Sequence, residues 1–360
     1  MNTLATTPSI DEPQPGRRVV RTPVSQALAE GKLSRADLRA LMQRSNWLPL
    51  IHLLLWIGVV AGTSALVWLT MDSWWLWPAM FIHGVVLVHH FSLQHECTHY
   101  TAFKRREAND VVAAICGFII MLGPTFFRYE HCDHHTYTQQ KGRDPEQIPL
   151  PQTLGGYLLY ISSWPYWRTK VTELFRHALG QFNDTELRFI PLVAHARVRL
   201  EARLLLALYA GIGVAMIIFS WWAPVWYWII PVLLGEPVMR AIRMTEHVGM
   251  QPVADMRNNT RTSLAIAPLR WLAWNMPFHA EHHYASSVPY HALPRMHRQL
   301  HGELPVERGG YLGAHRDMLA QILGNRPRVD APGRLELSKD EPGNAGPATD
   351  GPGLNKDPRR

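Results

Sequence analysis

The sequence predicts an all-α integral membrane protein with four transmembrane helices, and three observations carry the prediction. Apolar residues make up 47% of the 360-residue chain, and they gather into long runs without charge. Lysine and arginine flank these runs but are missing from the two short links between paired runs. Histidines cluster around the ends of the runs: His95-Glu96-Cys97-Thr98-His99, His131-Cys132-Asp133-His134-His135 and His279-Ala280-Glu281-His282-His283, with His247 alone beyond the last run. A helix of ~20 apolar residues is long enough to cross the hydrocarbon core of a bilayer.

Taken in order, residues 1–46 form a polar segment bearing Pro13, Pro15, Arg17, Arg18 and Arg21, without the apolar core of a cleaved signal peptide. Ser34-Arg35-Ala36-Asp37 predicts a capped short helix running to about Arg44. The first span is expected at residues 48–70 and the second at 74–94, linked by Met71-Asp72-Ser73. Trp74, Trp75 and Trp77 open the second span like an interfacial belt, and the first histidine group closes it. His89 and His90, just before that group, are expected to pack or to back the site rather than lead it. Residues 111–127 are uncharged but broken by Gly123-Pro124. A single crossing here would put the groups at 95–99 and 131–135 on opposite membrane faces, so an interfacial or re-entrant element is expected.

Residues 128–203 are polar and rich in arginine. Tyr157, Tyr160, Trp164, Tyr166 and Trp167 suit a stretch lying in the headgroup layer, with a soluble subdomain core as the alternative. The uncharged stretch 204–235 is too long for one span. Ser220-Trp221-Trp222-Ala223-Pro224 divides it into a third span at 204–219 and a fourth at 225–242. Glu236 and Arg240 stand at i, i+4 in the fourth span and are expected to pair beside the site, although Arg240 can also snorkel to the interface. The lysine and arginine distribution places both termini and all histidine groups in the cytoplasm, and the expected location is the bacterial inner membrane. Residues 326–360, rich in Gly, Pro, Asp and Lys, read as a disordered tail.

The net charge of +7 does not point to nucleic acid, because the basic residues border apolar runs instead of striping a soluble domain. The three cysteines, Cys97, Cys116 and Cys132, form no C-x-x-C, which excludes a disulfide framework and a cysteine-ligated iron–sulfur cluster.

On a helix, H-x-x-H-H puts its histidines on one face. Nine imidazoles on one membrane face are too many for a single tetrahedral zinc. They fit two metal ions with four or five ligands each and positions left open for dioxygen, and iron suits that chemistry. A helix bundle beside such a centre can hold an alkyl chain, so the expected substrate is apolar.

These motifs resemble the membrane fatty acid desaturase superfamily, which includes related hydroxylases and hydrocarbon oxygenases. The similarity covers about residues 48–305 and includes the proline-bearing sequel Val288-Pro289-Tyr290-His291-Ala292-Leu293-Pro294. The first box is H-x-x-x-H, as in acyl-lipid desaturases. The resemblance implies four membrane helices with a cytosolic helical cap, in a membrane domain at 47–325. It implies a di-iron centre held by His95, His99, His131, His134, His135, His247, His279, His282 and His283, with His247 as the isolated ligand after the last span. It also implies an O2-dependent oxidoreductase that introduces a double bond into a fatty acyl chain, with hydroxylation or oxygenation at the same site as the alternative. Asp133, Asp144, Glu246 and Glu281 are candidates to orient the ligands. The chain has no nucleotide-binding glycine motif, haem motif or cysteine cluster. Electrons are therefore expected from a ferredoxin or rubredoxin type donor with its reductase, docking on the basic face.

Two rivals remain. His95-Glu96-x-x-His99 also satisfies H-E-x-x-H, the zinc protease pattern with Glu96 as base, but that reading leaves the other histidines unexplained. A membrane metal carrier would place its ligands at mid-membrane, not at helix exits.

Overall fold

A computed structural model describes residue 24 and residues 28–330. Four helices are long and apolar enough to cross a membrane: Trp47–Leu69, Leu76–Thr98, Leu192–Phe219 and Val225–His247. The third begins at Leu192, well before the expected 204. Its first turns carry charge, including an Arg197–Glu201 pair at 3.1 Å. Charge ends a hydropathic run, whereas backbone hydrogen bonding continues through it. The same reason carries the second span on to Thr98 and the fourth to His247, so the first histidine group and His247 ride the last turns of spanning helices.

The second span lies inside the bundle, with 67% of its apolar window buried against 17% for the first and third. It meets the fourth span through glycine. A Cβ built on Gly84 would lie 1.8 Å from the carbonyl oxygen of Pro231, and one on Gly235 would lie 2.3 Å from the carbonyl carbon of Gly84. Only hydrogen fits there, as in other small-residue helix contacts in membranes. Gly84→Ala is therefore expected to lower the melting temperature in detergent sharply, because overpacking costs at least about 1–3 kcal/mol and backbone cannot give way as a side chain can. An unchanged melting curve would mean that the two helices are not held at this separation.

The stretch 111–127 is divided between two helices at a sharp bend. Helices Arg106–Ile120 and Pro124–Tyr137 meet at 96°. Met121 turns the chain in the left-handed region at φ 59°, and Pro124 starts the next helix, where its missing N–H leaves nothing unsatisfied. Two further helices, Leu154–Ile161 and Trp164–Leu179, carry the aromatic stretch, with Leu158, Leu159 and Trp164 exposed.

Beyond the fourth span a cap is built from short helices, including Met256–Asn259, His279–Tyr284, Leu293–Gln299 and Gly310–Ile322. A two-stranded parallel pair, Thr262–Ser263 with Val306–Glu307, ties it together. Its core joins Phe278, Ala280, Val288, Leu293 and Met296 to Leu33 and Leu41 of the N-terminal region. Ser34 caps the helix Arg35–Leu41 in a reciprocal box with Asp37, as expected, although the helix stops short of Arg44. At the other end Arg326 pairs with Asp317 at 2.6 Å and Arg328 donates to the carbonyl of Pro151 at 3.0 Å. Residues 331–360 of the expected tail lie outside the described residues, as do 1–23 and 25–27 of the N-terminal segment.

Candidate metal centre

The bend at Met121 and Gly123 turns Pro124–Tyr137 so that its histidines face the exits of the second and fourth spans. The cap brings His279–Tyr284 in from the other side. All nine expected histidines converge. Potential ligand atoms of His95, His99, His131, His135 and His282 lie within 4.8 Å of one another, and those of His134, His247 and His283 form a second such group. His279 joins the second group, its Nε2 lying 3.0 Å from Nε2 of His247. No cysteine belongs to either group among the described residues.

The nitrogens meet in a way that protons alone do not satisfy. Nε2 of His135 is 3.0 Å from Nε2 of His131 and 3.1 Å from Nε2 of His282. Both nitrogens of His95, Nε2 of His99, His134 and His283, and Nδ1 of His279 and His282 are buried without a hydrogen-bond partner among the described residues. Buried polar atoms are seldom left so, and converging imidazole lone pairs fit a cation between them. Burial pushes the His99 pKa down to about 3. Burial, reinforced by neighbouring imidazoles, also holds His131, His135, His279, His282 and His283 well below the ordinary range. These rings are therefore neutral at pH 7, which is the state that binds metal. For His134 burial acts in the same direction, but the carboxylates of Glu146 and Asp144 outweigh it and raise the pKa.

Several rings are fixed from behind. His131 Nδ1 meets Glu146 at 2.7 Å and His134 Nδ1 meets Asp144 at 2.8 Å. His247 Nδ1 meets the carbonyl of Asn259 at 3.2 Å, and His283 Nδ1 meets the hydroxyl of Thr138 at 3.2 Å. A proton on each Nδ1 leaves the Nε2 lone pair aimed into the cluster. Arg243 spans the two groups. Its guanidinium donates to Glu146 at 2.6 Å and to Glu246 at 2.7 Å, and Glu246 lies 3.8 Å from Nε2 of His279.

The pattern of the fatty acid desaturase family matches residues 72–313. The chain belongs to that family. It is an integral membrane oxidoreductase of the lipid desaturase type. A sphingolipid delta(4)-desaturase of Drosophila melanogaster is 26% identical over 245 residues, covering 63% of this chain and 67% of that protein. An sn-1 oleoyl-lipid 12-desaturase of a Synechocystis strain is 25% identical over 291 residues, 72% of this chain and 76% of its own length. A sphingolipid delta(4)-desaturase/C4-monooxygenase of Mus musculus is 25% identical over 253 residues, 66% of this chain and 70% of its own.

In this member of the family the carboxylates divide differently from the sequence expectation. Asp144 and Glu246 lie against the cluster. Glu281 instead bonds His297 Nδ1 at 2.5 Å and the hydroxyl of Thr262, and Asp133 makes no hydrogen bond to a box histidine among the described residues. Both stand at i+2 within their boxes, and i, i+2 positions on a helix do not share a face. Glu146 and Arg243 went unassigned. Asp144-Pro145-Glu146 is a loop feature, and only the fold brings it back to the helix before it. Glu96 accepts from the backbone N–H of Tyr290 at 2.9 Å, so the protease pattern has its carboxylate engaged in holding the cap. His89 and His90 bond the carbonyls of Val85 and Leu87 in their own helix. The Glu236–Arg240 pair forms at 2.7 Å, with Arg240 buried and stacked over Tyr166, so it does not snorkel.

Proposed function

We propose that the protein is an O2-dependent di-iron desaturase of the acyl-lipid type, lying in the bacterial inner membrane with its metal site facing the cytoplasm. The observation that supports this most is the convergence of nine histidines in two groups where the second and fourth spans end against the helix Pro124–Tyr137 and the cap helix His279–Tyr284. His95, His99, His131, His135 and His282 would hold one iron, and His134, His247, His279 and His283 the other. Two irons would supply the dioxygen chemistry that oxidises an unactivated C–H bond. The chain's own groups do the rest. Asp144, Glu146, the Asn259 carbonyl and Thr138 hold the imidazoles in one tautomer. Phe91, Met239, Ile242 and Met276 are among the residues lining a space of only about 10 Å³ against His95 and His279, which leaves little room for water beside the cluster. Electrons come from a ferredoxin or rubredoxin type donor with its reductase.

A double bond requires loss of two hydrogens from the chain, whereas oxygen transfer leaves an alcohol. The Mus musculus relative, whose name carries both activities, keeps hydroxylation as the second reading. Expression in a bacterial host followed by lipid analysis decides between them. New double bonds without new hydroxyls are expected. The purified protein with NAD(P)H and O2 but no donor protein should stay inactive. Finding neither product in cells, with iron bound, would overturn the lipid assignment.

A further inference from the structure

Next to the histidine cluster lies a second, open cavity of about 290 Å³. It is walled by the bent helix Pro124–Tyr137, the helix Trp164–Leu179 and the fourth span. Its inner end reaches Phe91 and Phe127, whose rings pack against His95 and His131 at 6.1 and 5.2 Å between centroids. At ~30 Å³ per water it has room for a polar group of roughly ten heavy atoms.

This cavity is charged in a particular way. Each cation in its wall is already neutralised: Lys170 by Glu173 at 2.7 Å, Arg240 by Glu236 at 2.7 Å, and Arg243 by Glu146 and Glu246 at 2.6 and 2.7 Å. The lining side chains Glu130 and Thr169 make no hydrogen bond or close ion pair among the described residues, and Glu130 adds a second carboxylate within electrostatic reach of Lys170. An anionic group entering here would find no free cation and would meet carboxylates on several sides. A group that donates hydrogen bonds would find the Glu130 carboxyl and the Thr169 hydroxyl.

Building on the reading of the centre as a lipid oxidase, we infer that this cavity is the subsite for the polar end of the substrate. It selects a lipid with a compact hydroxyl- or amine-bearing end and no negative charge. Free fatty acids and phosphate-bearing thioesters are disfavoured by the same charge pattern.

The test compares binding of three probes with the same chain length, 1-palmitoylglycerol, hexadecylamine and palmitate, to the detergent-purified iron-loaded protein. Binding is read by thermophoresis, without donor or turnover. At least one of the first two should bind about tenfold more tightly than palmitate. Glu173→Gln, which removes the hydrogen-bonded partner of Lys170 and one of the two carboxylates acting on it, should tighten palmitate binding by about tenfold, since the ammonium can then give a carboxylate a charge-assisted partner. Thr169→Val should weaken 1-palmitoylglycerol several-fold and leave palmitate unchanged. Palmitate binding as tightly as both other probes would overturn the inference. So would unchanged palmitate affinity in a Glu173→Gln variant whose melting curve shows it folded; should that variant not fold, the comparison on the unmodified protein decides alone. Selective binding without oxidation of any lipid would sink the reaction assigned to the centre and leave this subsite standing. Oxidation without the selectivity would do the reverse.

Discussion

His247→Ala is expected to leave the protein in the membrane, lower its bound iron and reduce lipid oxidation by more than about 100-fold. That figure is the upper range for loss of a partner that only orients a metal ligand, so losing a ligand should exceed it. Among the described residues His247 is the one histidine outside the three boxes whose Nε2 enters the cluster, 3.0 Å from that of His279, while its Nδ1 is occupied by Asn259. It ends the fourth span, so its loss removes a group from the helix tip without disturbing the apolar turns below. His134→Ala should behave in the same way. His301→Ala, on the exposed side of the cap, should keep both iron and activity. Iron analysis and lipid turnover on the three variants check this, and full iron with full activity in His247→Ala would reduce the site to eight histidines.

Arg243→Leu is expected to have the next largest effect, on stability as well as on iron. The guanidinium is buried and holds Glu146 and Glu246 at once. Removing it leaves two carboxylates without their charge partner, a change that costs about 3–5 kcal/mol when a buried pair is broken. Glu146 then loses the contact that aims it at His131. Arg243→Lys keeps the charge but cannot reach two carboxylates with one planar fork. It should melt nearer the parent yet bind iron about 10–100-fold more weakly. Thermal melting and iron titration separate the two effects. A leucine variant that melts like the parent would mean that the two carboxylates are not held charged.

Much of the architecture could be read from the sequence because bilayers and helices impose periods. Long uncharged runs place the spans to within a few residues, except where Leu192 starts a helix inside a charged segment. The break expected at Gly123-Pro124 is a 96° bend between two helices. The histidines were legible because i, i+3 and i+4 share a helix face. What failed follows from the same geometry. Asp133 and Glu281 are near the ligands in sequence but point away from them, whereas Glu146 reaches His131 from a loop. The Gly84–Gly235 contact and the two-handed grip of Arg243 are properties of packed pairs, and no single helix pattern announces them.

The central claim is that these histidines hold two irons, and metal analysis of the purified protein tests it most directly. Elemental quantification against protein concentration, with X-ray absorption to identify the donors, should give two irons per chain in nitrogen-dominated coordination. One zinc per chain without iron would contradict the account and return the first histidine box to the protease reading.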